Sequence, residues 1–249
     1  MMVMPRRISR GLEIVGLHSN RGTAGMLAAE IRAARHHLES LQRLPALDLP
    51  YIPQTEFALS PSAVRTVLND LVLHDRRCVV EFGAGVSTLY ISKLLAERAL
   101  AGSMLVTIEH DAGWLGLVAE MLQRLCTTAV VQLVHAPLEP AAPGQAAWYG
   151  RSVVDRALAG QLVDAALVDG PRSRNNNDPE TRHPALPALA PHLNPAGAVV
   201  FLDDVNRPGE RRIYERWARD LGMERVSDAE FCGLGILVPP DRPLKYRIV

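Results

Sequence analysis

Cysteine, a charge excess and long apolar runs are all scarce in this chain of 249 residues, and each scarcity excludes something. The three cysteines, Cys78, Cys126 and Cys232, lie far apart with no CxxC pair. Neither a disulfide framework nor a cysteine-built zinc site is expected, and a reducing cytoplasm is the simplest setting. Cys78 opens an apolar run and Cys126 closes a helix-like one, so both read as small buried hydrophobes. Lys plus Arg and Asp plus Glu each total 27, which leaves no net charge. A nucleic-acid binder normally shows a basic excess or stripe, and none stands out. Arg6, Arg7 and Arg10 precede no apolar stretch long enough for a signal peptide or a membrane span. What remains is ordinary globular composition, 48% hydrophobic and 22% charged, enough for one α/β domain with a short extension.

Periodicity divides the chain near residue 57. Residues 1–21 are mixed and turn-rich, with no regular structure expected. From Thr23 to Leu44 the apolar positions Leu27, Ile31, Ala34, Leu38 and Leu41 step by three and four, an amphipathic helix stopped by Pro45. A proline-punctuated connector follows. This extension, residues 1–57, carries an apolar stripe that must be buried, as a lid over a cleft or against its twin in a homodimer. Ser60-Pro61 then offers an N-cap with proline at the first helical position, opening a helix to about Val72.

From Cys78 a regular alternation sets in, across a domain of residues 58–249. The short apolar runs Cys78–Phe82, Met104–Ile108, Ala129–Val134, Val163–Val168 and Ala198–Leu202 read as strands buried on both faces. Helical patterns separate them, the clearest being Trp114, Leu117, Val118, Met121, Leu122, Leu125 and Ile213, Tyr214, Trp217, Ala218, Leu221. Strands alternating with helices predict a doubly wound, mostly parallel α/β sheet with right-handed connections. Glu224–Ser227 and Leu234–Val238 are too close for a helical crossover and predict an antiparallel terminal hairpin. Asn175-Asn176-Asn177 reads as a loop.

In such a sheet the ligand lies beyond the carboxyl ends of the strands. The tightest turn at such an end is Glu81-Phe82-Gly83-Ala84-Gly85-Val86-Ser87-Thr88. Gly83 and Gly85 let the backbone pass close to a ligand, and the helix starting near Ser87 offers free N–H groups to a carboxylate. Glu109, twenty-four positions after Gly85, ends the next strand, where it can accept from ribose hydroxyls. A dinucleotide fingerprint wants a third small residue where Thr88 stands. Glu81 would also repel a pyrophosphate, yet it suits an ammonium group.

This E-x-G-x-G turn resembles motif I of the class I S-adenosylmethionine-dependent methyltransferases. Thr107-Ile108-Glu109-His110-Asp111 with Trp114, Val168-Asp169-Gly170-Pro171 and Phe201-Leu202-Asp203-Asp204 with Arg207 resemble the second-, fourth- and fifth-strand motifs of a bacterial branch. Arg182-His183-Pro184-Ala185-Leu186 is similar to the helix start after its fourth strand. A more distant likeness is to the polysaccharide glucuronic-acid O-methyltransferases. Together these motifs span about residues 60–240. The resemblance implies a Rossmann-like methyltransferase fold with seven strands and S-adenosylmethionine as cofactor. Glu81, Gly83 and Gly85 would hold its methionine portion, and Ser87 and Thr88 would close on its carboxylate. Glu109 would hold the ribose, with His110 and the turn through Ala136 and Pro137 beside the adenine. His135 reads as a satisfied strand-end histidine.

Methyl transfer needs an aligned nucleophile, and a hydroxyl also needs a general base or a divalent metal. Asp169, Asp203 and Asp204 cluster at neighbouring strand ends, an oxygen-rich set suited to a cation such as Mg²⁺. They resemble the metal triad of the catechol-type O-methyltransferases, with Asp204 in place of Asn and Arg172 in place of the lysine. Asp169 doubles as a cofactor-positioning residue, and Asp169, Asp203 and His183 are the candidate catalytic groups. Arg172, Arg174 and Arg182 read as solvated charge or as contacts for an anionic substrate, and Trp148 and Tyr149 as a pocket wall. The expected partner is a small-molecule or sugar acceptor, with no nucleic acid and no membrane. An aminopropyl transferase would carry paired aspartates where Gly170-Pro171-Arg172 follow Asp169. A nicotinamide-dependent reductase is disfavoured by Thr88 and the terminal hairpin, and a non-catalytic S-adenosylmethionine-binding module by the carboxylates at the later strand ends.

Overall fold

Each predicted apolar run becomes a strand in a computed structural model that describes residues 11–47, 52, 55, 57–98, 102–140, 146–172, 180–227 and 233–241. A long helix, α1 (Gly11–Arg43), ends in a 3₁₀ turn at Leu44–Leu47, and α2 (Pro61–Leu73) follows. Then come β1 (Cys78–Phe82), α3 (Val86–Arg98), β2 (Met104–Glu109), α4 (Ala112–Arg124) and β3 (Val131–His135). A small antiparallel pair, β4 (Leu138–Glu139) and β5 (Trp148–Tyr149), precedes α5 (Arg151–Leu158). The second half holds β6 (Ala165–Val168), α6 (Ala185–Leu189), β7 (Val199–Leu202), α7 (Pro208–Leu221), β8 (Glu224–Ser227) and β9 (Gly235–Val238). Among the described residues no helix is long and apolar enough to cross a membrane.

The main sheet has seven strands in the order β3-β2-β1-β6-β7-β9-β8. The first five are parallel, and β9 runs antiparallel to both of its neighbours, β7 and β8, as the terminal hairpin predicted. Chain order reverses between β1 and β6, so their carboxyl ends mark the switch point where α/β sheets bind ligands. Two apolar cores cover the two faces. One packs α2, α3 and α4 against Val79, Leu105, Leu167 and Phe201. The other packs α5, α6 and α7 against Phe82, Ala166, Val168 and Leu202, with Trp217 fully buried. Full burial of such side chains stabilises by roughly 1.5–3 kcal/mol each.

Local chemistry sets the boundaries. Ser60 caps α2 by accepting from the Ala63 N–H, with Pro61 at the first helical position. Gly222, at φ +62, ends α7 in a left-handed turn closed by the Met223 N–H on the Ala218 carbonyl.

Several expectations fail here. The first helix begins at Gly11 and so takes in half of the stretch expected to lack regular structure. Its stripe is not covered by the described residues: Leu27, Ile31, Leu38 and Leu41 are all exposed, and Ala34 with them. The helix packs instead through His37, hydrogen-bonded to Ser62, and through buried Ser40 and Leu44. In α4 the buried face is Leu115, Val118 and Leu122, while Trp114 and Leu117 face outward. Cys126 is exposed and Cys78 half-buried, because Cys126 lies in the turn after α4. Cys232, Arg174 and Asn175-Asn176-Asn177 lie outside the described residues.

Candidate functional site

The turn after β1 is shaped by a close backbone approach. Gly83 sits at φ +96, and a Cβ there would lie 2.9 Å from the Gly170 nitrogen in the turn after β6. Its N–H donates to the Ile108 carbonyl and the Gly170 N–H to the Phe82 carbonyl, which locks the ends of β1, β2 and β6 together. Only glycine fits both requirements at Gly83. Gly85 donates its N–H to Thr88 Oγ1 at the start of α3. Among the described residues nothing lies within 4 Å of where a Gly85 Cβ would stand.

Glu81 is completely buried beneath this turn. Its Oε2 accepts from Thr88 Oγ1 at 2.6 Å and from Thr107 Oγ1 at 3.0 Å. Burial pushes the carboxyl up to about 7, against the pull of the Ser87, Thr88 and Thr107 hydroxyls. Its second oxygen, Oε1, is buried with no hydrogen-bond partner among the described residues. An orphaned carboxylate oxygen in that position calls for a donor from outside the chain.

Glu109, at the end of β2, is nearly buried and fully engaged with backbone. Oε1 accepts from the His110 and Asp111 N–H groups at 2.7 and 2.8 Å, and Oε2 from Ala84 N–H at 3.0 Å. The carboxylate thus ties the β1 turn to the start of α4, leaving lone-pair capacity on Oε2. His110 stands beside it, Nδ1 2.7 Å from Oε1. His135 is satisfied, as expected, by its Nε2 lying 3.1 Å from the His110 carbonyl. Ala136 is buried, its N–H donating to the Glu109 carbonyl, while exposed Pro137 accepts from Gly150 N–H. The anticipated cofactor residues therefore converge on one end of the sheet. Trp114 closes its edge, donating from Nε1 to the Ala84 carbonyl at 2.7 Å.

One group in this pocket had only a weak sequence signal. The β4–β5 pair, which no periodicity announced, inserts Tyr149 among Phe82, Trp148 and His110. Its hydroxyl points at the Gly83–Gly170 approach and is buried without a hydrogen-bond partner among the described residues. Burial, with the nearby Glu109 carboxylate, drives its pKa well above the usual value. Tyr149 thus presents a neutral hydroxyl beside the orphaned Glu81 oxygen's turn. Its sequence clue was an aromatic pair followed by glycine and a helix start.

At the ends of β6 and β7, Asp169, Asp203 and Asp204 offer carboxylate oxygens that all lie within 4.8 Å of one another. The expected cluster forms. His183 does not join it: its charged neighbours are Arg216, Glu180 and Asp220, and burial lowers its pKa.

A family profile described as a methyltransferase domain matches residues 80–205, just over half of the chain. The chain belongs to this methyltransferase family. Methyl transfer dependent on S-adenosylmethionine is its activity class. Solved structures share the fold at low identity. An O-methyltransferase from Bacillus cereus, in complex with S-adenosylhomocysteine, is 16% identical at TM-score 0.53, covering 82% of this chain and 90% of its own. TomG from Streptomyces achromogenes, an O-methyltransferase involved in tomaymycin synthesis and bound to S-adenosylmethionine, is 17% identical at TM-score 0.51, covering 82% and 88%. The S-adenosylhomocysteine-bound methyltransferase PaMTH1 of Podospora anserina is 14% identical at TM-score 0.52, covering 94% and 98%. A search of curated proteins gives no match.

The charges at the rim of this methyltransferase are balanced from within. Arg182, expected at the surface, is only 4% exposed. Its Nη2 lies 3.2 Å from Asp169 Oδ1 and 3.1 Å from Asp204 Oδ2, and Nη1 donates to the Asp203 carbonyl at 3.0 Å. Arg207 Nη1 adds a 2.7 Å contact to Asp204 from outside. Burial, with Asp169 and Asp204 beside it, pushes the Asp203 carboxyl well above the usual range. Three carboxylates thus face two guanidinium groups at this rim. A divalent cation among these oxygens would stand beside Arg182. Arg182 Nη2 already takes Asp169 Oδ1 and Asp204 Oδ2, oxygens that such an ion would need. With Arg182 in place, the donor set does not fit the divalent metal that the catechol-type resemblance implies.

Proposed function

We propose that this methyltransferase moves a methyl group from S-adenosylmethionine to a hydroxyl of a small molecule or sugar. The observation that carries the cofactor reading is the pair of orphaned buried polar atoms, Glu81 Oε1 and Tyr149 Oη, at a glycine turn with no room for a pyrophosphate's charge. Glu81, Gly83, Gly85, Ser87 and Thr88 would hold the amino-acid end. Glu109 would meet the ribose, and His110, Ala136 and Pro137 the base. Asp169, where the turns after β1 and β6 meet, would stand nearest the reacting end.

S-adenosylmethionine supplies, when bound, a methyl group on a sulfonium and so already carries a good leaving group. The protein's task is then to align the acceptor oxygen and take its proton. Asp203, whose surroundings raise its proton affinity, would receive that proton, with Asp169 and Arg182 at the rim beside it. His183, whose charged neighbours are Arg216, Glu180 and Asp220, is given no part in this reading. The divalent cation is not part of this reading, because Arg182 stands among the three carboxylates.

Residues 1–57 form an extension on the methyltransferase domain of residues 58–249. Phe57 supports a role beside the pocket, since its ring lies 4.1 Å beneath the Arg172 guanidinium after β6. The two described cysteines are free thiols, which fits a cytoplasmic setting.

Calorimetry tests the cofactor. S-adenosylhomocysteine should bind with a micromolar Kd, on the order of −8 kcal/mol, and Tyr149→Phe should weaken it. NADH binding without S-adenosylhomocysteine binding would overturn the reading.

A further inference from the structure

Arg182 occupies a place that its sequence neighbourhood does not explain. It opens the turn leading into α6, where exposed arginines are common, yet it is nearly fully buried. Three of its contacts point inward to the ends of two strands: Asp169 after β6, and the Asp203 carbonyl and Asp204 carboxylate after β7. The same two-sided contact is what a divalent cation would make among these oxygens, which lie within 4.8 Å of one another. A planar guanidinium with fixed donors meets two carboxylates and a carbonyl at once, which a lysine ammonium does less well. Its charge is held against burial by Asp169, Asp204 and Asp203.

We propose that Arg182 is a built-in substitute for the divalent cation, making this a metal-independent methyltransferase. Arg182 acts through its neighbours as a positioning residue. It holds Asp169 and Asp204 in place at the rim of the pocket, the duty a metal performs by coordination. Arg207 caps Asp204 of the same cluster from the solvent side. The consequence for catalysis rests on the methyl-transfer reading above, but the occupancy of the cluster does not.

Manganese titration followed by electron paramagnetic resonance tests the occupancy on the full chain, with no acceptor required. Wild-type protein should bind no Mn²⁺ below about 1 mM, and EDTA should leave both its melting temperature and its S-adenosylhomocysteine affinity unchanged. Arg182→Ser should uncover the three carboxylates and gain at least about tenfold in Mn²⁺ affinity. Adding Asp204→Asn should abolish the gain, and Arg182→Lys should show none. A merely structural arginine would give destabilisation without any gain of metal. Stoichiometric micromolar Mn²⁺ binding by the wild type, lost in Asp204→Asn, would overturn the proposal, as would a well-folded Arg182→Ser that gains no metal. If the serine variant does not fold, the wild-type titration and its EDTA response decide alone. Failure to bind S-adenosylhomocysteine would count against the cofactor reading and leave the metal result standing.

Discussion

Glu81→Gln separates the energetic cost of the buried carboxyl from its use. The wild-type group ionises at about 7 in the fold against 4.5 in its unperturbed state, with burial as the main cause. The native protein therefore holds this proton more tightly than the unfolded chain. With the folded value raised, stability is greatest below about 4.5 and falls as pH climbs through the window to about 7. The gap is worth about 3 kcal/mol at 1.36 kcal/mol per pH unit. Glutamine matches the shape, carries no charge, and keeps an acceptor for Thr88 and Thr107. At pH 8 the ligand-free variant should be more stable than wild type by up to about 3 kcal/mol, or roughly 6–12 °C in a protein of this size. At pH 5 the two should nearly coincide. Binding should respond in the opposite sense, because the variant has lost the charge that meets a ligand ammonium. Such a charged hydrogen bond is worth about 1.5–3 kcal/mol, roughly a 10- to 100-fold loss in S-adenosylhomocysteine affinity. Differential scanning fluorimetry from pH 5 to 8 and calorimetry at pH 8 read both effects. A wild-type melting temperature flat across that range, together with a variant no more stable at pH 8, would refute the reasoning.

Gly83→Ala must place a Cβ 2.9 Å from Gly170 at a positive φ, so urea denaturation should show a loss of at least about 1–2 kcal/mol, with S-adenosylhomocysteine binding abolished. Glu109→Ala strips the acceptor from three backbone N–H groups, and calorimetry should find cofactor affinity down about tenfold or more; unchanged affinity would remove Glu109 from the ribose site. Deleting residues 1–57 removes α1 and the Phe57–Arg172 contact, and should leave a cooperatively folding core that binds S-adenosylhomocysteine but turns over a hydroxyl acceptor poorly. Turnover unchanged and a gel-filtration shift from dimer to monomer would instead mark the exposed Leu27–Leu41 stripe as a pairing surface.

The strands, their order along the chain and the cofactor turn were legible in the residues themselves. Runs such as Cys78–Phe82 and Val199–Leu202 are apolar on both faces because helices cover both sides of a parallel sheet, and that pattern is local. The same holds for Gly83, whose φ and close approach only glycine tolerates, and for Ser60-Pro61, whose capping chemistry lies within one turn. What periodicity could not decide is which face of an amphipathic helix finds a neighbour. The apolar stripe of α1 stands in solvent while Ser40 and Leu44 are buried, because contact with α2 and not hydropathy fixes the rotation of that helix. Nor could it place charges that meet only at strand ends. Arg182 and His183 are adjacent in sequence, yet one enters the ring of Asp169 and Asp204 and the other turns to Arg216 and Asp220. Tyr149 likewise reaches the Gly83–Gly170 contact only through a two-residue pairing with Leu138 and Glu139. The sequence by itself determined the elements and the glycine turn, because backbone conformation and burial period are set by neighbours along the chain. Tertiary structure alone decided which buried polar atoms stay unpaired and which cation balances the three aspartates, because those depend on side chains brought together from separate strands.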